Sequence, residues 1–471
     1  MQYYLERLQF AIKAILRNPA TFFLFTAAVF GIVICFRLPP LNGTDEFTHF
    51  PRVYQITDGT LWEQKMPHQQ YGGQIPFNVS SMVDDYRDLS RKSNPQEYAS
   101  RTKQLNAYYS SQSKPGEPVG AIYTSVAIYP PWSYAPSAIG LVVAKVLNTP
   151  LLWYVYLARL SSLLVWIVLV WWAIRLLPSG KWFLTVLALL PTSLSQATTI
   201  GGDGLLTGLS WLTIALVIAV FANKVNLNWI WLTLLGLASL YLAVIKAGYW
   251  LISLLPLIIP AYFFKSRKVA VAWKTVLAAL VIVSSIFFAY HNMTTARYAT
   301  LTPRLGVYID SNLQQQYVLH HPLLFLVRAF GQFFTKSYDT IYLGIVGILT
   351  NRLIYLPLLV IGLLYVTLFL ALKQSKRLPV LAKHRQLLLL TFLSAFVGTC
   401  IFISLAFYIG NTQVGSDTIF GIYGRYYLPI LPLLLIIPLA KRKGITAEHA
   451  LVVLPILSVI GLVYTAIAIS Q

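Results

Sequence analysis

The chain has 471 residues, of which 57% are hydrophobic and only 11% are charged, and its formal net charge is +21. This composition excludes an ordinary soluble domain, because repeated apolar runs of membrane-spanning length are typical of a polytopic helical membrane protein. In such a protein the positive charge is explained by cytoplasmic loops and anionic lipid headgroups, so we expect membrane lipids and no nucleic acid as partners. The two cysteines, Cys35 and Cys400, lie in apolar runs and indicate neither a disulfide framework nor a metal site.

The apolar runs predict one all-α membrane domain over residues 1–471, with about eleven transmembrane helices. Basic residues precede the first run and no small-residue cleavage site follows it, so we expect an uncleaved first span and no removed signal peptide. The predicted spans are residues 20–37, 151–174, 182–199, 204–222, 228–244, 247–264, 270–290, 354–372, 386–409, 426–440 and 449–469.

The loops between these spans separate by charge. One side carries 18 Lys and Arg residues with only Glu6 and Glu448, whereas the other side carries 13 of the 15 acidic residues. Because cytoplasmic loops are enriched in Lys and Arg, this asymmetry predicts a multi-pass protein of the plasma membrane with a cytoplasmic N-terminus. The acidic loops are then external.

Two long segments lie on the predicted external side, residues 38–150 and residues 291–351. The first is polar and tyrosine-rich around Tyr71–Pro118, where we expect mobility. Counting Ser133–Leu147 as a span would invert every later loop against the charge rule, so this segment predicts an interfacial helix. In the second, Pro322–Phe334 is too short to span comfortably and predicts an interfacial or re-entrant helix.

The first external segment opens with an acid pair. Pro39 and Pro40 end the preceding span, because proline cannot donate to the helical ladder. Thr44 can cap a new short helix, which places Asp45 and Glu46 in its first turn, where the helix dipole favours negative charge.

Three polar residues of this short helix are spaced for one face. Asp45, His49 and Arg52 follow each other at i, i+4 and i+7, which predicts that their side chains point the same way. The alternative is that they are ordinary charges on a solvated loop helix. The positions of the other polar residues in the chain help to decide between a functional face and ordinary solvated charges.

Four further ionisable residues lie inside or at the outer ends of predicted spans, where charge is costly and usually functional. Arg159 is predicted either to contact a lipid phosphate or to form a structural ion pair with an acid of the first loop. Asp203 follows two glycines and is either a functional carboxylate or a simple helix cap. Lys246 can hold a phosphate as a point charge, and Arg425 suits bidentate phosphate recognition.

Eight polar residues, listed at the end of this paragraph, are predicted to meet at the external membrane boundary, although they are spread over 380 positions of the sequence. A shared cavity with acids above and bases near headgroup depth fits a reaction of a lipid-linked phosphate donor. The sequence has no Walker motif, HExxH or D-x-D pattern, so we expect no metal and no cofactor. The set comprises Asp45, Glu46, His49, Arg52, Asp203, Lys246, Asp339 and Arg425.

The acid pair, in the hexapeptide DEFTHF at residues 45–50, resembles the GT-C superfamily of membrane glycosyltransferases, which includes protein O-mannosyltransferases and aminoarabinose transferases. The aromatic patch Tyr129–Pro136 and the segment ARLSS at 158–162 resemble the interfacial helix and second span of that superfamily. More closely, the chain resembles a bacterial family of multi-spanning proteins grouped with GT-C enzymes. The matching segments are PPLNGTDEFTHFPRVYQITDG, ALLPTSLSQATTIGGDGLLTG, IKAGYW and GIYGRYYLPILPLLL.

The resemblance implies an inverting transfer from a polyprenyl-phosphate sugar, with Asp45 as general base and Glu46, His49 and Arg52 orienting the base or binding sugar hydroxyls. Unlike the mannosyltransferases, the chain has no appended soluble domain, so the acceptor implied is a surface glycan, wall polymer or glycolipid. The rival hypothesis is a transporter or flippase of lipid-linked sugars. Against it, the sequence suggests no paired halves with broken helices, and its charges cluster at one face.

Overall fold

The structure of the chain is a computed structural model that describes residues 7, 15–67, 70–92, 94–113, 116–246, 248–299, 309–335, 339–347, 356–375, 378–439 and 453–469. Its first elements are α1 (Pro19–Arg37), α2 (Glu46–Thr57), β1 (Gln64–Met66), β2 (Gln70–Pro76), α3 (Phe77–Ser90), α4 (Pro95–Ser111), β3 (Pro118–Ile122), α5 (Thr124–Ala127), a 3₁₀-helix (Pro131–Tyr134) and α6 (Ala135–Val146). Next come α7 (Leu151–Leu176), α8 (Lys181–Ala188), α9 (Pro191–Ala197), α10 (Asp203–Phe221), α11 (Trp229–Val244), α12 (Trp250–Ser253), two 3₁₀-helices (Leu255–Ile258, Ala261–Phe263) and α13 (Arg267–Ala299). The last are α14 (Ser311–His320), α15 (Pro322–Gly331), a π-helix (Asp339–Leu343), α16 (Gly344–Val346), α17 (Leu358–Lys373), α18 (Pro379–Ala382), α19 (Arg385–Asn411), a 3₁₀-helix (Gly424–Leu435), α20 (Ile436–Leu439) and α21 (Val453–Ala468).

Within the described residues, five helices are long and apolar enough to cross a membrane by length and composition. They are α1, α7, α10, α13 as far as Asn292, and α19. They coincide with the predicted spans 20–37, 151–174, 204–222, 270–290 and 386–409. The protein is therefore a predominantly helical membrane protein, and the count of eleven spans stays a prediction.

Three predicted spans are not continuous helices. Residues 182–199 form α8 and α9 with a break before Pro191, the described residues 248–264 form short helical turns around Pro256 and Pro260, and the described residues 426–439 begin as a 3₁₀-helix. Proline explains each break, because it removes an amide donor and clashes with the preceding turn. The region of α8 and α9 is almost completely buried in the described structure, so protein shields its irregular backbone.

Three more predicted spans correspond to shorter apolar helices, α11, α17 and α21, of 16 residues each. A helix of this length extends for about 24 Å, which is less than the roughly 30 Å of a hydrocarbon core. The predicted edges at 354–355 and 449–452 lie outside the described residues.

The described part of the first external segment contains a sheet, which the all-α prediction did not include, whereas the expected mobility around Tyr71–Pro118 stays a prediction. Strands β1, β2 and β3 form an antiparallel sheet in that order, with Gly73 paired to Ala121. Helices α3 and α4 pack beside it around buried Tyr86 and Tyr109. The strand pattern is weak in the sequence because β2 reads QYGGQIP. Gly72 is required there, since a Cβ atom would meet the backbone carbonyl of Ala121.

Helix α6 lies where the interfacial helix was predicted. Its inner face packs closely on α7, where Gly140 meets the backbone of Leu157 and the Ser137 and Ser162 hydroxyls share a hydrogen bond of 2.7 Å. Its outer face exposes a stripe of apolar side chains, Ile139, Val142, Val143, Val146 and Leu147. This amphipathic character suits a helix lying in the membrane interface.

Helix α15 is a second amphipathic segment. It has ten residues and is therefore about 15 Å long, too short to span. Leu323 and Val327 are exposed on one face, whereas Arg328 points inward and donates to the hydroxyl of Tyr408 (2.5 Å) and to Asp417 (2.6 Å). The interfacial position of both helices remains a prediction from these faces.

Candidate functional site

Asp45 and Arg425 come together at the entrance to a polar cluster. Arg425 Nη2 donates to Asp45 Oδ2 over 2.7 Å. The Asp45 side chain is 52% exposed, whereas the Arg425 side chain is only 12% exposed. The pair thus presents an accessible carboxylate next to a sheltered cation.

The backbone of Asp45 explains its orientation. Asp45 is itself the N-cap residue of α2, in the left-handed region with φ of 57°, and its side chain makes no capping hydrogen bond. The prediction that Thr44 caps the helix and that Asp45 lies in its first turn is wrong. Aspartate tolerates this conformation better than most residues, and here it turns the carboxylate toward Arg425 instead of toward the helix.

Arg425 is held by an anchored backbone. Pro429 and Pro432 prevent a regular α-helix after it, and the resulting 3₁₀-helix offers backbone carbonyls to neighbouring elements. Trp211 Nε1 donates to the carbonyl of Leu428 (2.9 Å), and the Tyr249 hydroxyl donates to that of Tyr426 (2.6 Å). These bonds fix the segment against the helical core, so Arg425 is presented from a rigid support.

Lys246 and Asp203 form a second pair in the same cluster, with Lys246 Nζ 2.8 Å from Asp203 Oδ1. Asp203 is the first residue of α10, and its side chain bonds Lys246 and makes no cap. Burial by itself would lower the pKa of Lys246, but the Asp203 carboxylate and neighbouring tyrosines raise it well above its usual value. Lys246 is therefore a permanent cation. Its ammonium lies 5.5 Å from the ring of Tyr129 and 4.8 Å from that of Tyr426.

His49 lies between the two pairs. Its Nδ1 shares a hydrogen bond of 2.9 Å with the hydroxyl of Tyr134, and its ring stacks on Tyr129 with centroids 6.0 Å apart. Burial lowers the pKa of His49, although the carboxylates act in the opposite direction. The imidazole is thus neutral at physiological pH. The charged groups that face it are Asp45, Asp203, Lys246 and Arg425.

Glu46, the second acid of the pair, is completely buried and points away from this cluster. Both of its oxygens bind Arg159, over 2.8 Å to Nε and 2.5 Å to Nη2. They also accept from the backbone amides of Gly43 (3.0 Å) and Ile200 (3.0 Å). Glu46 therefore ties the start of α2 to α7 and to the turn before α10.

Arg159 has the arrangement of a structural ion pair, which was one of the two alternatives predicted for it. Besides Glu46, its guanidinium donates to three backbone carbonyls at the end of α1, those of Cys35 (3.0 Å), Leu38 (2.7 Å) and Pro39 (2.9 Å). Its side chain is fully buried. Arg159 thus binds groups of the protein itself and is not placed to contact a lipid phosphate.

Arg52 does not join Asp45 and His49 in the cluster, so the prediction that the three side chains point the same way is wrong. The helix begins only at Glu46, so helical spacing cannot be extended back to Asp45. Arg52 is fully buried in a separate cluster, where it donates to Gln55 Oε1 (2.8 Å) and to the carbonyl of Leu61 (2.7 Å). Its Nη2 is 3.6 Å from Glu63.

Five of the predicted site residues thus surround one position: Asp45, His49, Asp203, Lys246 and Arg425. The tyrosines that line it were not predicted as site residues. Arg425 lies over the rings of Tyr423 (5.2 Å) and Tyr426 (4.9 Å) and donates to the Tyr426 hydroxyl (2.9 Å). The motif YGRYY around Arg425 was the available signal.

The cluster combines two cations, two carboxylates, a neutral imidazole and aromatic walls. Such a set can bind an anion with two negative oxygens and can accept a proton. Among the described residues, no three His, Cys, Asp or Glu side chains form a group that could hold a metal ion. Asp339 begins the π-helix, and its side chain lies outside the described residues.

The comparison with protein families agrees with the architecture. The DUF2142 family, described as predicted membrane proteins, matches residues 28–434. The chain belongs to the DUF2142 family. The match includes all the residues of the cluster in this DUF2142 protein. No curated protein and no solved structure matches the chain.

Proposed function

We propose that this DUF2142 protein is a membrane glycosyltransferase of the GT-C type. It transfers a sugar from a polyprenyl-phosphate donor to a surface glycan, wall polymer or glycolipid at the outer face of the plasma membrane. The observation that carries the proposal is the half-exposed carboxylate of Asp45, bonded to Arg425, with a second cation, Lys246, facing the same imidazole of His49. A base and two phosphate-binding groups are the minimum such a reaction needs.

The donor phosphate binds between Arg425 and Lys246. In the resting arrangement each cation contacts one carboxylate, Asp45 or Asp203. Arg425 Nε is buried and has no hydrogen-bond partner among the described residues, so the guanidinium retains a donor for a further oxygen. A phosphate that engages this fork also displaces Asp45 from Arg425. Donor binding thereby frees the carboxylate for the acceptor.

The transfer then follows from these positions. Asp45 accepts the proton of the acceptor hydroxyl while the hydroxyl oxygen attacks the anomeric carbon. The bond between that carbon and the phosphate oxygen breaks, and the polyprenyl phosphate leaves with the bonding electron pair. Arg425 and Lys246 stabilise the negative charge that develops on the leaving group. Attack opposite the phosphate inverts the anomeric configuration.

Asp45, and not Glu46, is the base in this proposal. Glu46 is buried and accepts hydrogen bonds from Arg159 and two backbone amides, so it has no access to an acceptor. Its role is to fix the start of α2 and hence the position of Asp45. His49 borders the carboxylate as a neutral hydrogen-bonding group, and Asp203 holds Lys246 in place.

The transport alternative gains support from the three proline-broken segments. The break between α8 and α9 is the kind of interruption found in transporter helices. Against transport, the polar cluster is built from the ends of elements. Asp45 is the N-cap residue of α2, Asp203 begins α10, Lys246 follows α11, and Arg425 lies in the first turn of a 3₁₀-helix. A site at element ends supports chemistry at one membrane face.

The test is the sugar composition of surface glycans in cells that lack this protein. The chain should be restored as wild type, as Asp45→Asn, or as Asp84→Asn, whose carboxylate is exposed on α3 and pairs only with Arg87 among the contacts described. We expect one sugar to disappear in the deletion and in Asp45→Asn, and to return with wild type and Asp84→Asn. Full restoration by Asp45→Asn would contradict the proposal.

A further inference from the structure

A strip of four aromatic rings lies beside the candidate site, where the external segment meets the end of α13. The ring centroids of Trp132 and Phe288 are 5.2 Å apart, those of Phe288 and His291 are 6.0 Å apart, and those of His291 and Trp62 are 5.5 Å apart. The two tryptophans are 40% and 42% exposed, whereas Phe288 is buried. The strip therefore exposes the indole rings of Trp62 and Trp132 to solvent, and buried Phe288 supports the strip between them.

A buried ionic group lies under this strip. His291 Nε2 donates to Glu63 Oε1 over 2.8 Å, and Arg52 approaches Glu63 Oε2 to 3.6 Å. The Glu63 side chain is only 7% exposed, yet Oε2 accepts no hydrogen bond from the described residues. Arg52 Nε is likewise buried without a hydrogen-bond partner among them. An unfilled acceptor and an unfilled donor thus adjoin the rings.

Glu63 is suited to act as an acceptor. Burial by itself would raise the pKa of Glu63, but its hydrogen bond with His291 and the nearby charge of Arg52 lower it below its usual value. The ionised carboxylate offers lone pairs only, and two neighbours fix its orientation. It is a preorganised acceptor for a hydroxyl group.

The strip also continues into the candidate site. Trp132 belongs to the same 3₁₀-helix as Tyr134, whose hydroxyl bonds His49. Arg52 lies on α2 one turn after His49. A molecule that covers the rings can therefore reach toward Asp45.

We propose that Trp62, Glu63, Arg52 and Trp132 form a saccharide subsite, which binds the acceptor glycan of the reaction proposed above. The assignment to an acceptor rests on that proposed function. The C–H face of a pyranose ring is weakly positive and apolar, and it matches the negative face of an indole. Its hydroxyl groups match the acceptor Glu63 Oε2 and the donor Arg52 Nε, two buried atoms that have no hydrogen-bond partner among the described residues.

The test uses purified full-length protein in nanodiscs. The probe is the set of saccharide fragments that mild acid releases from the envelope of the source cell, end-labelled with a fluorophore. We expect wild type to bind at least one size fraction, and Trp62→Ala and Glu63→Gln each to weaken that binding by about tenfold or more. Trp62→Tyr, which keeps an aromatic face, should retain most of it.

Two control variants make the result specific. Trp229→Ala removes an exposed tryptophan on α11, far along the chain from the strip, and should bind as wild type does. Asp84→Asn should also bind the fragments, because its exposed carboxylate lies on α3, outside the subsite. Size-exclusion profiles and thermal unfolding of every variant establish that the protein is folded.

Several outcomes overturn the subsite. They are no binding of any fraction by wild type, equal binding by wild type and both variants, or, in Trp62→Ala and Trp132→Ala, a lower yield of membrane-inserted protein with unchanged binding by the inserted fraction, which would make the rings lipid-interface anchors. The two proposals also fail separately. Binding that depends on Trp62 without any sugar transfer would leave the subsite standing and refute the transferase, whereas transfer with unchanged acceptor KM in Glu63→Gln would do the reverse.

Discussion

Arg425 donates to Asp45 across 380 positions of sequence, and the bond of 2.7 Å joins the predicted phosphate-binding group directly to the predicted base. Neither residue is free to act while this bond persists. The arrangement couples the two halves of the proposed reaction, because the group that binds the donor is also the group that restrains the base.

Replacement of Arg425 tests the phosphate role. Arg425→Lys keeps the charge but loses the planar fork, so it should raise the donor KM by about tenfold or more, and Arg425→Ala should do so further. Donor titrations in a transfer assay measure this effect. Arg87→Ala, which removes an exposed arginine on α3, is the matched control. Unchanged donor KM and turnover in Arg425→Ala would make Arg425 structural.

The buried pair of Glu46 and Arg159 predicts a different phenotype. Arg159→Met leaves a buried carboxylate without its cation and should cost about 3–5 kcal/mol of unfolding free energy. The double variant Glu46→Leu with Arg159→Met should recover part of that loss, since no uncompensated charge remains. Thermal unfolding in nanodiscs measures both.

The exposed pair of Arg87 and Asp84 provides the comparison. Arg87→Met should change the unfolding free energy by only about 0–1 kcal/mol. If Arg159→Met were as stable as Arg87→Met, the anchoring role of Glu46 would be wrong.

His49 predicts a pH dependence of stability. Its folded-state pKa is lowered from 6.5, so the unfolded chain binds a proton at a higher pH than the folded chain does. The contribution of neutral His49 is therefore complete above about pH 6.5 and is lost as the pH falls from there toward the lower folded-state pKa. Unfolding midpoints of wild type and His49→Gln should converge as the pH falls through this window. A difference that is constant between pH 7.5 and pH 5 would contradict the assignment.

Membrane topology is tested by cysteine labelling. Impermeant reagents added outside should modify Asp58→Cys and Asp417→Cys, the latter at a side chain that is 93% exposed. They should not modify Arg175→Cys or Lys373→Cys. Both residues are exposed at the C-terminal ends of α7 and α17, which are predicted to be cytoplasmic. Disrupted cells should label all four. The reverse pattern in intact cells would place the polar cluster in the cytoplasm.

The meeting of Asp45, Asp203, Lys246 and Arg425 was predictable, because the charge rule assigns the ends of their elements to one membrane face. The pairing within the cluster was not. The left-handed backbone of Asp45 decides that Asp45 faces the cluster and that Glu46 points away from it. Helical spacing cannot reveal this conformation. The same break in the helix is why Arg52 lies in another cluster.

The fold was predictable to a similar depth. Long apolar runs such as 151–174 became helices, because length and composition are strong signals. Residues 182–199 look equally apolar, but Pro191 divides them into two helices. The irregular backbone at this break is tolerated because the surrounding protein buries it. The sheet was missed because its strands are short and Gly72 and Gly73 interrupt the alternation of apolar residues.

The central claim is that Asp45 is the general base, and single-turnover sugar transfer by purified variants in nanodiscs tests it most directly. Asparagine has nearly the same shape as aspartate but cannot accept the proton. Asp45→Asn should fold normally, still bind the lipid donor, and lose transfer by at least about a hundredfold, whereas Glu46→Gln should mainly lose stability. Near wild-type transfer by Asp45→Asn would contradict the account, and no transfer by the wild-type protein would favour transport instead.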